Sequence, residues 1–402
     1  MTPTAPLRID TEEQEGRYSR LQLIPWWNQQ KIRAARVLVI GAGALGNEIL
    51  KNLALLGFRK IVVVDLDRIE MSNLSRAVLF RSSDVGLAKA EAIVKPYLDL
   101  CPEATVRPLR ANVMEEVGLG LFAWADIILA GLDNREARLW INRAAWKVNR
   151  PWVDGAIEGI NGVARVFVPG KPPCYECTLG ETDWALLERR MSCNLLLQES
   201  TIQGKIPTTP TISSIIGGIQ SQEAVKILHG LETLAGRGFV FEGLHHSSYV
   251  VEYTQNPDCL SHYTFPEVMQ LAVKSPDVTL EQLLARSRAD LNAEDVVIEF
   301  SREIIHKLIC PQCGVEDELF VPVGSVTRGE GRCPDDGSMR VVQTLSGYRG
   351  EPELGSRTLD NLGLPLFDIF TARSPDREIS YCVAGDAPAV LGSLSVADGE
   401  GR

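Results

Sequence analysis

Residues 37–46 read VLVIGAGALG, and this stretch limits what the chain can fold into more than any other. The apolar, β-branched run 37–42 has the length of one buried strand and reaches glycine at Gly41. Gly41, Gly43 and Gly46 follow with the spacing G-x-G-x-x-G and open a helical segment, Ala44 to Leu56, that stops at Gly57. Glycines so spaced let backbone approach a phosphate, while the helix start offers unpaired N–H groups and the positive end of its dipole. Asp65 closes the next strand (KIVVVD, 60–65), where a carboxylate can bind ribose hydroxyls. Alone, this pattern predicts a nucleotide and leans towards an NAD-dependent dehydrogenase; a turn that binds no nucleotide is the bland alternative.

Strand and helix keep alternating. Helices are expected near 86–100 and 134–149, and strands near 105–110, 126–132, 151–157 and 164–170. Such alternation means right-handed βαβ units, hence a doubly wound, Rossmann-like, mostly parallel sheet with helices on both faces, of the α/β class. A long helix fits 211–228, closed by Gly230, with Gly217 and Gly218 suited to close packing. The segment 180–209 is polar and without clear periodicity, and is expected to be a mobile crossover loop. After residue 264 the character changes to a short helix (278–292), a strand, a cysteine-rich knuckle and Gly/Pro-rich sequence. The expected organisation is therefore a domain over 1–264, a small C-terminal α+β region over 265–390 with a degenerate zinc ribbon, and a disordered tail over 391–402.

The loops after the strands are too rich in charge for a dinucleotide. Asp65, Asp67, Asn73 and Arg76 share one loop, Lys89 opens the next helix, and Asp133 lies just past a third strand. A dinucleotide needs neither the cations nor the second carboxylate, whereas ATP with Mg²⁺ uses both. Singly, each would pass for a surface charge; together, at the carboxyl ends of successive strands, they would not.

Composition narrows the partners. The net charge is −11, and residues 265–402 hold 23 Asp and Glu against 13 Lys and Arg, so −10 of it lies there. Nucleic acid is not expected as a partner. The acidic region could instead meet a basic protein surface, or be merely solvated. No apolar run of membrane-spanning length and no signal pattern occur, so no membrane is expected and the cytoplasm is the expected location. Of nine cysteines, six (Cys174, Cys177, Cys259, Cys310, Cys313 and Cys333) lie in C-x-x-C, C-x-x-H or Cys-Pro-x-x-Gly contexts, which favours metal over disulfides; Cys101 and Cys382 read as core residues.

Together these motifs resemble the ThiF/MoeB/ubiquitin-E1 superfamily of activating enzymes over residues 17–262. The resemblance rests on RYSR (17–20), GAGALGNEILKNLALLG (41–57), VDLDRIEMSNLSR (64–76), DVGLAKAEA (84–92), LDNREAR (132–138), VDGAIEGINGVARVFVPG (153–170) and CYEC (174–177). The wording is closer to eukaryotic-type ubiquitin and NEDD8 activators than to bacterial sulfur-carrier enzymes, although Arg76-Ala77 stands where the family commonly has Arg-Gln. The resemblance implies that Asp65 holds the ribose, that Asp67, Asn73, Arg76 and Lys89 hold phosphates, and that Asp133 holds Mg²⁺. Arg20 resembles the arginine that reaches into a neighbouring subunit's ATP site, which implies a homodimer. The implied reaction is attack of a C-terminal glycine carboxylate on the α-phosphate of ATP, with release of pyrophosphate.

In that family the zinc pair Cys174/Cys177 has a second half after the long helix, which here reads Cys259-Leu-Ser-His262. Cys310 and Cys313 (CPQCG) are a rival second half. They also have a local partner in Cys333 and Asp336 (CPDDG), the outline of a zinc ribbon whose last cysteine is aspartate, or of a knuckle that has lost its metal. Cys193 stands 16 residues after Cys177, where the superfamily places its thioester or persulfide cysteine, though Asn194 replaces the usual threonine. The implied function is adenylation of a ubiquitin-like protein, thioester formation on Cys193 and transfer to an E2-like partner. The alternatives are a sulfur-carrier adenylyltransferase that stops at adenylate or thiocarboxylate, and a non-catalytic scaffold of the same fold.

Overall fold

The computed structural model describes residues 16–190 and 207–396, and Cys193 lies outside them. The chain enters through two short helices, α1 (Ser19–Gln22) and α2 (Gln29–Ala34). It then alternates β1 (Arg36–Ile40), α3 (Ala44–Leu56), β2 (Lys60–Val64), α4 (Lys89–Ala92), α5 (Val94–Leu100), β3 (Thr105–Leu109), α6 (Leu119–Trp124), β4 (Ile127–Ala130), α7 (Arg135–Lys147) and β5 (Trp152–Glu158). The five strands pair in parallel in the order β3-β2-β1-β4-β5. Their side chains are buried on both faces in the central strands, as a sheet sandwiched between helices requires. β6 (Asn161–Phe167), β7 (Arg237–Glu242) and β8 (Ser247–Glu252) extend the sheet antiparallel to eight strands.

Among the described residues, two α-helices lie between β6 and β7. α9 (Pro210–His229) is capped by left-handed Gly230, and its Gly217 lets it pack on α3 beside Glu48. The other, α8 (Glu181–Arg190), corrects the expectation of a loop from residue 180. Its first turn carries Glu181 and Asp183, and the Asp183 carboxylate accepts the Gly180 N–H at 3.1 Å, stabilising the helix start. Trp184 and Leu187, three apart, pack on the apolar core.

The remaining elements are β9 (Val268–Leu271), α10 (Leu280–Leu291), β10 (Val297–Ile309), β11 (Glu316–Pro322), β12 (Val341–Tyr348), β13 (Ile369–Arg373), β14 (Glu378–Val383) and α11 (Ala387–Leu391). They form a six-stranded sheet in the order β11-β10-β13-β14-β9, with β12 also on β10, around a core that includes Leu280, Leu284, Ile298, Leu362 and Tyr381. Within the expected tail, residues 391–396 are instead folded: Leu391 is buried and a 3-10 turn spans Gly392–Ser395. Cys101 and Cys382 are core residues.

The second sheet is locked to the first by buried polar contacts. Arg302 donates to the carbonyls of Met114 and Val117, each at 2.8 Å, and its guanidinium lies 4.8 Å from the Trp140 ring. Asp368 accepts the Leu119 N–H at 2.8 Å, and Phe367 O accepts the Gly120 N–H at 2.9 Å. A Cβ on Gly118 or Gly120 would collide with the carbonyls of Leu366 and Phe367, so the glycines permit the approach. Arg302→Ala should cost about 1–3 kcal/mol, because two buried carbonyls lose their donor. Urea denaturation measures the loss, and amide exchange at Leu119 and Gly120 should quicken; unchanged stability and exchange would show that this contact does not hold the sheets together.

Candidate functional site

The glycine loop runs from the end of β1 into α3 and is compressed to the limit of backbone contact. Gly41 has φ +91°, and a Cβ there would press on Gly131 O. A Cβ on Gly46 would overlap Gly41 O. Above Gly43, in contrast, nothing lies within 4 Å of where a Cβ would be. Gly43 caps α3 without a side chain, so the first-turn N–H groups of the helix face that open space.

Charge is gathered around this opening. Asp65 accepts the Ala42 N–H at 2.6 Å and the Asp67 N–H at 2.8 Å. Burial pushes its carboxyl above the usual range, against the opposing pull of Lys89 and the Ala42 N–H. Lys89 Nζ lies 2.7 Å from Asp67 Oδ2. In this arrangement Asp67 holds the ammonium, and Lys89 is the group whose charge suits a phosphate. Asn73 and Arg76 sit on the 3-10 turn Met71–Ser75: Asn73 Oδ1 accepts the Glu70 N–H at 3.0 Å, and Arg76 donates to Ser72 O at 2.8 Å. Asp133 is exposed just past β4, beside Asn134, whose side chain caps α7 through the Ala137 N–H at 2.8 Å.

Arg20 lies in α1, two residues after Tyr18. The Tyr18 ring packs on Gly57, at the far end of the 13-residue α3. At 1.5 Å per residue that helix places Tyr18 roughly 20 Å from the glycine loop.

Three buried polar arrangements support the opening, and none of their side chains has a role assigned from the sequence. Asn47 is fully buried: its Nδ2 donates to Ala42 O (2.8 Å) and Gly43 O (3.0 Å), and its Oδ1 accepts the Leu79 N–H (2.9 Å). It thus ties the glycine loop to the chain following Arg76. Gln220 of α9 donates to Ala130 O at 2.8 Å, at the end of β4. Asp154, also fully buried, binds Arg138 Nε at 2.8 Å and Arg165 Nε at 2.9 Å, while Arg138 donates to Leu132 O next to Asp133. Burial would raise the Asp154 carboxyl, but the two guanidiniums outweigh it and hold the pKa low. Asn47, Arg138, Asp154 and Arg165 fall within the quoted motif stretches, but only polarity on an otherwise apolar helix face marks Gln220.

Two side-chain clusters could hold a metal. Cys174, Cys177, Cys259 and His262 bring their ligand atoms within 4.8 Å of one another. Cys174 Sγ is 3.7 Å from Cys177 Sγ and 3.5 Å from Cys259 Sγ, and Cys177 Sγ is 3.4 Å from His262 Nε2. Those are close to the edges of a tetrahedron built on a Zn–S bond of about 2.3 Å, whose S–S edge is about 3.8 Å. Glu176 binds the two halves together, accepting from Arg143 at 2.9 Å and 3.0 Å and from Ser261. The His262 ring lies 4.6 Å from Trp146, near the end of α7, roughly 15 Å of helix away from Asp133. The cluster is therefore set apart from the nucleotide edge. Cys310 and Cys313 belong to the other cluster, with Cys333 and Asp336, and are not the second half of the first.

The chain matches the ThiF family over residues 16–261. It is 41% identical over 157 residues to the SUMO-activating enzyme subunit uba-2 of Caenorhabditis elegans, covering 38% of this chain and 27% of that protein. It is 43% identical over 157 residues to the NEDD8-activating enzyme E1 catalytic subunit of Arabidopsis thaliana, covering 36% of this chain and 34% of that one. The matches to these two span only about a third of their length. The E. coli MccB structure with ATP overlays with a TM-score of 0.51 at 23% identity, over 61% of this chain and 74% of MccB, a likeness of fold. With the family model covering more than half of its length, the chain belongs to the ThiF family.

Proposed function

We propose that this protein uses ATP to adenylate the C-terminal carboxylate of a ubiquitin-like protein. The observation that carries the reading is the open cradle above Gly43, bounded by the N–H groups of α3 and flanked by Asp65 and Lys89. Asp65 would take the ribose. Lys89, with Arg76 and Asn73, would face the phosphates, and Asp67 would keep Lys89 in place. Asp133, an exposed carboxylate at the mouth of the sheet, suits Mg²⁺, which would offset charge on the leaving pyrophosphate. A carboxylate oxygen of the partner attacks the α-phosphorus, the bond to the bridging oxygen breaks, and pyrophosphate departs with the electron pair. The protein contributes position and charge rather than a covalent step.

The proposal includes a homodimer in which Arg20 of one copy reaches the phosphates of the other; it is supported by the place of Tyr18, two residues before Arg20, at the far end of α3. The cluster of Cys174, Cys177, Cys259 and His262 would hold a structural zinc, because three thiols and an imidazole make up a full tetrahedral set for Zn²⁺. After adenylation, the Cys193 thiolate would attack the acyl carbon, expel AMP and pass the thioester to an E2-like partner. Residues 265–390 would recruit that partner.

Asp133→Ala and Arg20→Ala should each abolish ATP–pyrophosphate exchange while the melting temperature stays close to wild type. If the arginine acts in trans, an equal mixture of re-associated variants should recover about a quarter of wild-type exchange, because one dimer in two has one intact site. Exchange at the wild-type rate in Asp133→Ala would sink the site assignment. Cys193→Ala should retain exchange and lose the thiol-sensitive, ATP-dependent adduct with the ubiquitin-like partner on a non-reducing gel. Persistence of the adduct would place the nucleophile elsewhere and end this chain's chemistry at the adenylate.

A further inference from the structure

The second cluster belongs to a part of the chain that the adenylation reading does not use. β10 is 13 residues long and pairs with β11 on one side and β12 on the other, making a three-stranded ribbon. Two tight knuckles close its end. In the first, Cys310 N donates to Val315 O and Gly314 N to Cys310 O; in the second, Cys333 N donates to Ser338 O and Gly337 N to Cys333 O. Gly314 and Gly337 take the same left-handed conformation, with φ +75° and +71°. The two knuckles are thus structural copies, and Asp336 stands where Cys313 stands in the first.

The copies face each other through their side chains. Cys313 Sγ lies 3.5 Å from Cys333 Sγ, and Cys310 Sγ lies 3.3 Å from Asp336 Oδ2. Asp336 turns its other oxygen away to accept the Ser338 N–H at 2.8 Å, leaving Oδ2 as a single donor aimed at the thiols. Backbone N–H groups of Gln312 and Cys313 lie 3.4 Å and 3.5 Å from Cys310 Sγ, as they do around a charged sulfur. The apolar core beneath has three buried residues, Ile305, Leu308 and Val326, with Leu319, Val321, Val323, Met339 and Val342 partly buried against them, a small core that a metal cross-link would reinforce.

We propose that Cys310, Cys313, Cys333 and Asp336 form a second divalent-metal site with three sulfur donors and one oxygen, whose ion exchanges readily and staples the β10–β11–β12 ribbon. Zinc is the metal that suits three thiolates in a tetrahedron. The carboxylate oxygen is a harder donor than the thiolate it replaces, and both Asp336 and Cys313 are exposed. The first cluster has no exposed ligand: Cys174 is buried, the other three are half-buried, and Glu176, Arg143 and Ser261 lock its two halves, whereas the second buries Cys310 and Cys333 but exposes the other two. The two sites should therefore release their ions at different rates.

The test uses the full-length protein loaded with zinc, challenged with EDTA and followed by a metallochromic indicator and by limited proteolysis. Two zinc ions per chain are expected, one leaving at least about ten-fold faster than the other. Cleavage between residues 310 and 341 should appear with the fast phase. Asp336→Ala should lack the fast ion and retain the slow one, while Asp336→Cys should move the fast ion into the slow phase. One zinc per wild-type chain, or release kinetics unchanged in both Asp336 variants, would overturn the site. Cleavage independent of metal would overturn the staple. None of these readouts involves ATP, so their failure is separable from failure of the adenylation reading.

Discussion

The nucleotide edge depends on how closely three stretches of backbone can meet. β1, β4 and the first turn of α3 converge at Gly41, Gly131 and Gly46, and side chains at Gly41 or Gly46 would collide with backbone. The helix start can then sit directly at the carboxyl end of β1, where its N–H groups point into open space. Asn47 fixes the resulting loop, because its side chain is fully buried and its three hydrogen bonds tie the carbonyls of Ala42 and Gly43 to the Leu79 amide. The same side chain sets the position of the segment after Arg76. The phosphate-facing groups on two different loops are thereby registered by one buried amide.

Positioning of this kind recurs with charge. Asp154 lies in the middle of the sheet, yet Arg138 links it to the carbonyl of Leu132 and so to the backbone that presents Asp133. A buried carboxylate between two guanidiniums contributes little net stability, but loss of one partner leaves an uncompensated charge. The arrangement holds the end of β4 in one place. The thiol–imidazole cluster serves the opposite end of α7, where it ties the 174–177 loop to the 259–262 turn.

Local features were legible in the sequence to the extent that they follow from local chemistry. The strand–glycine–helix unit, the Gly57 and Gly230 stops and the local set Cys310, Cys313, Cys333 and Asp336 follow from spacing and residue type, whereas the pairing of Cys174 and Cys177 with Cys259 and His262 is what the family resemblance implies. What escaped depends on distant parts of the chain. Asn47, Gln220 and Asp154 look like surface polar residues until the elements that bury them are in place. α8 was hidden because only Trp184 and Leu187 mark its apolar face, and its stability comes from the core they reach and from its acidic first turn. Leu391 reads as part of a weak tail but packs in the core of the first sheet, where Arg107 also binds the carbonyls of Ala389 and Val390, each at 3.0 Å. Residues 191–206, with Cys193, stand outside the described structure, so its role rests on the reaction and not on geometry.

The central claim, that ATP phosphates occupy the space above Gly43, is tested most directly by Gly43→Ala. Gly43 has extended backbone (φ −74°, ψ −152°), and its missing Cβ would meet no atom within 4 Å, so alanine should fold as glycine does. The same methyl group would stand where the phosphates are proposed to lie. The melting temperature without ligand should match wild type, while the stabilisation by ATP and Mg²⁺ should disappear, corresponding to at least about ten-fold weaker binding. Full ATP stabilisation in the alanine variant would place the nucleotide elsewhere and contradict the account.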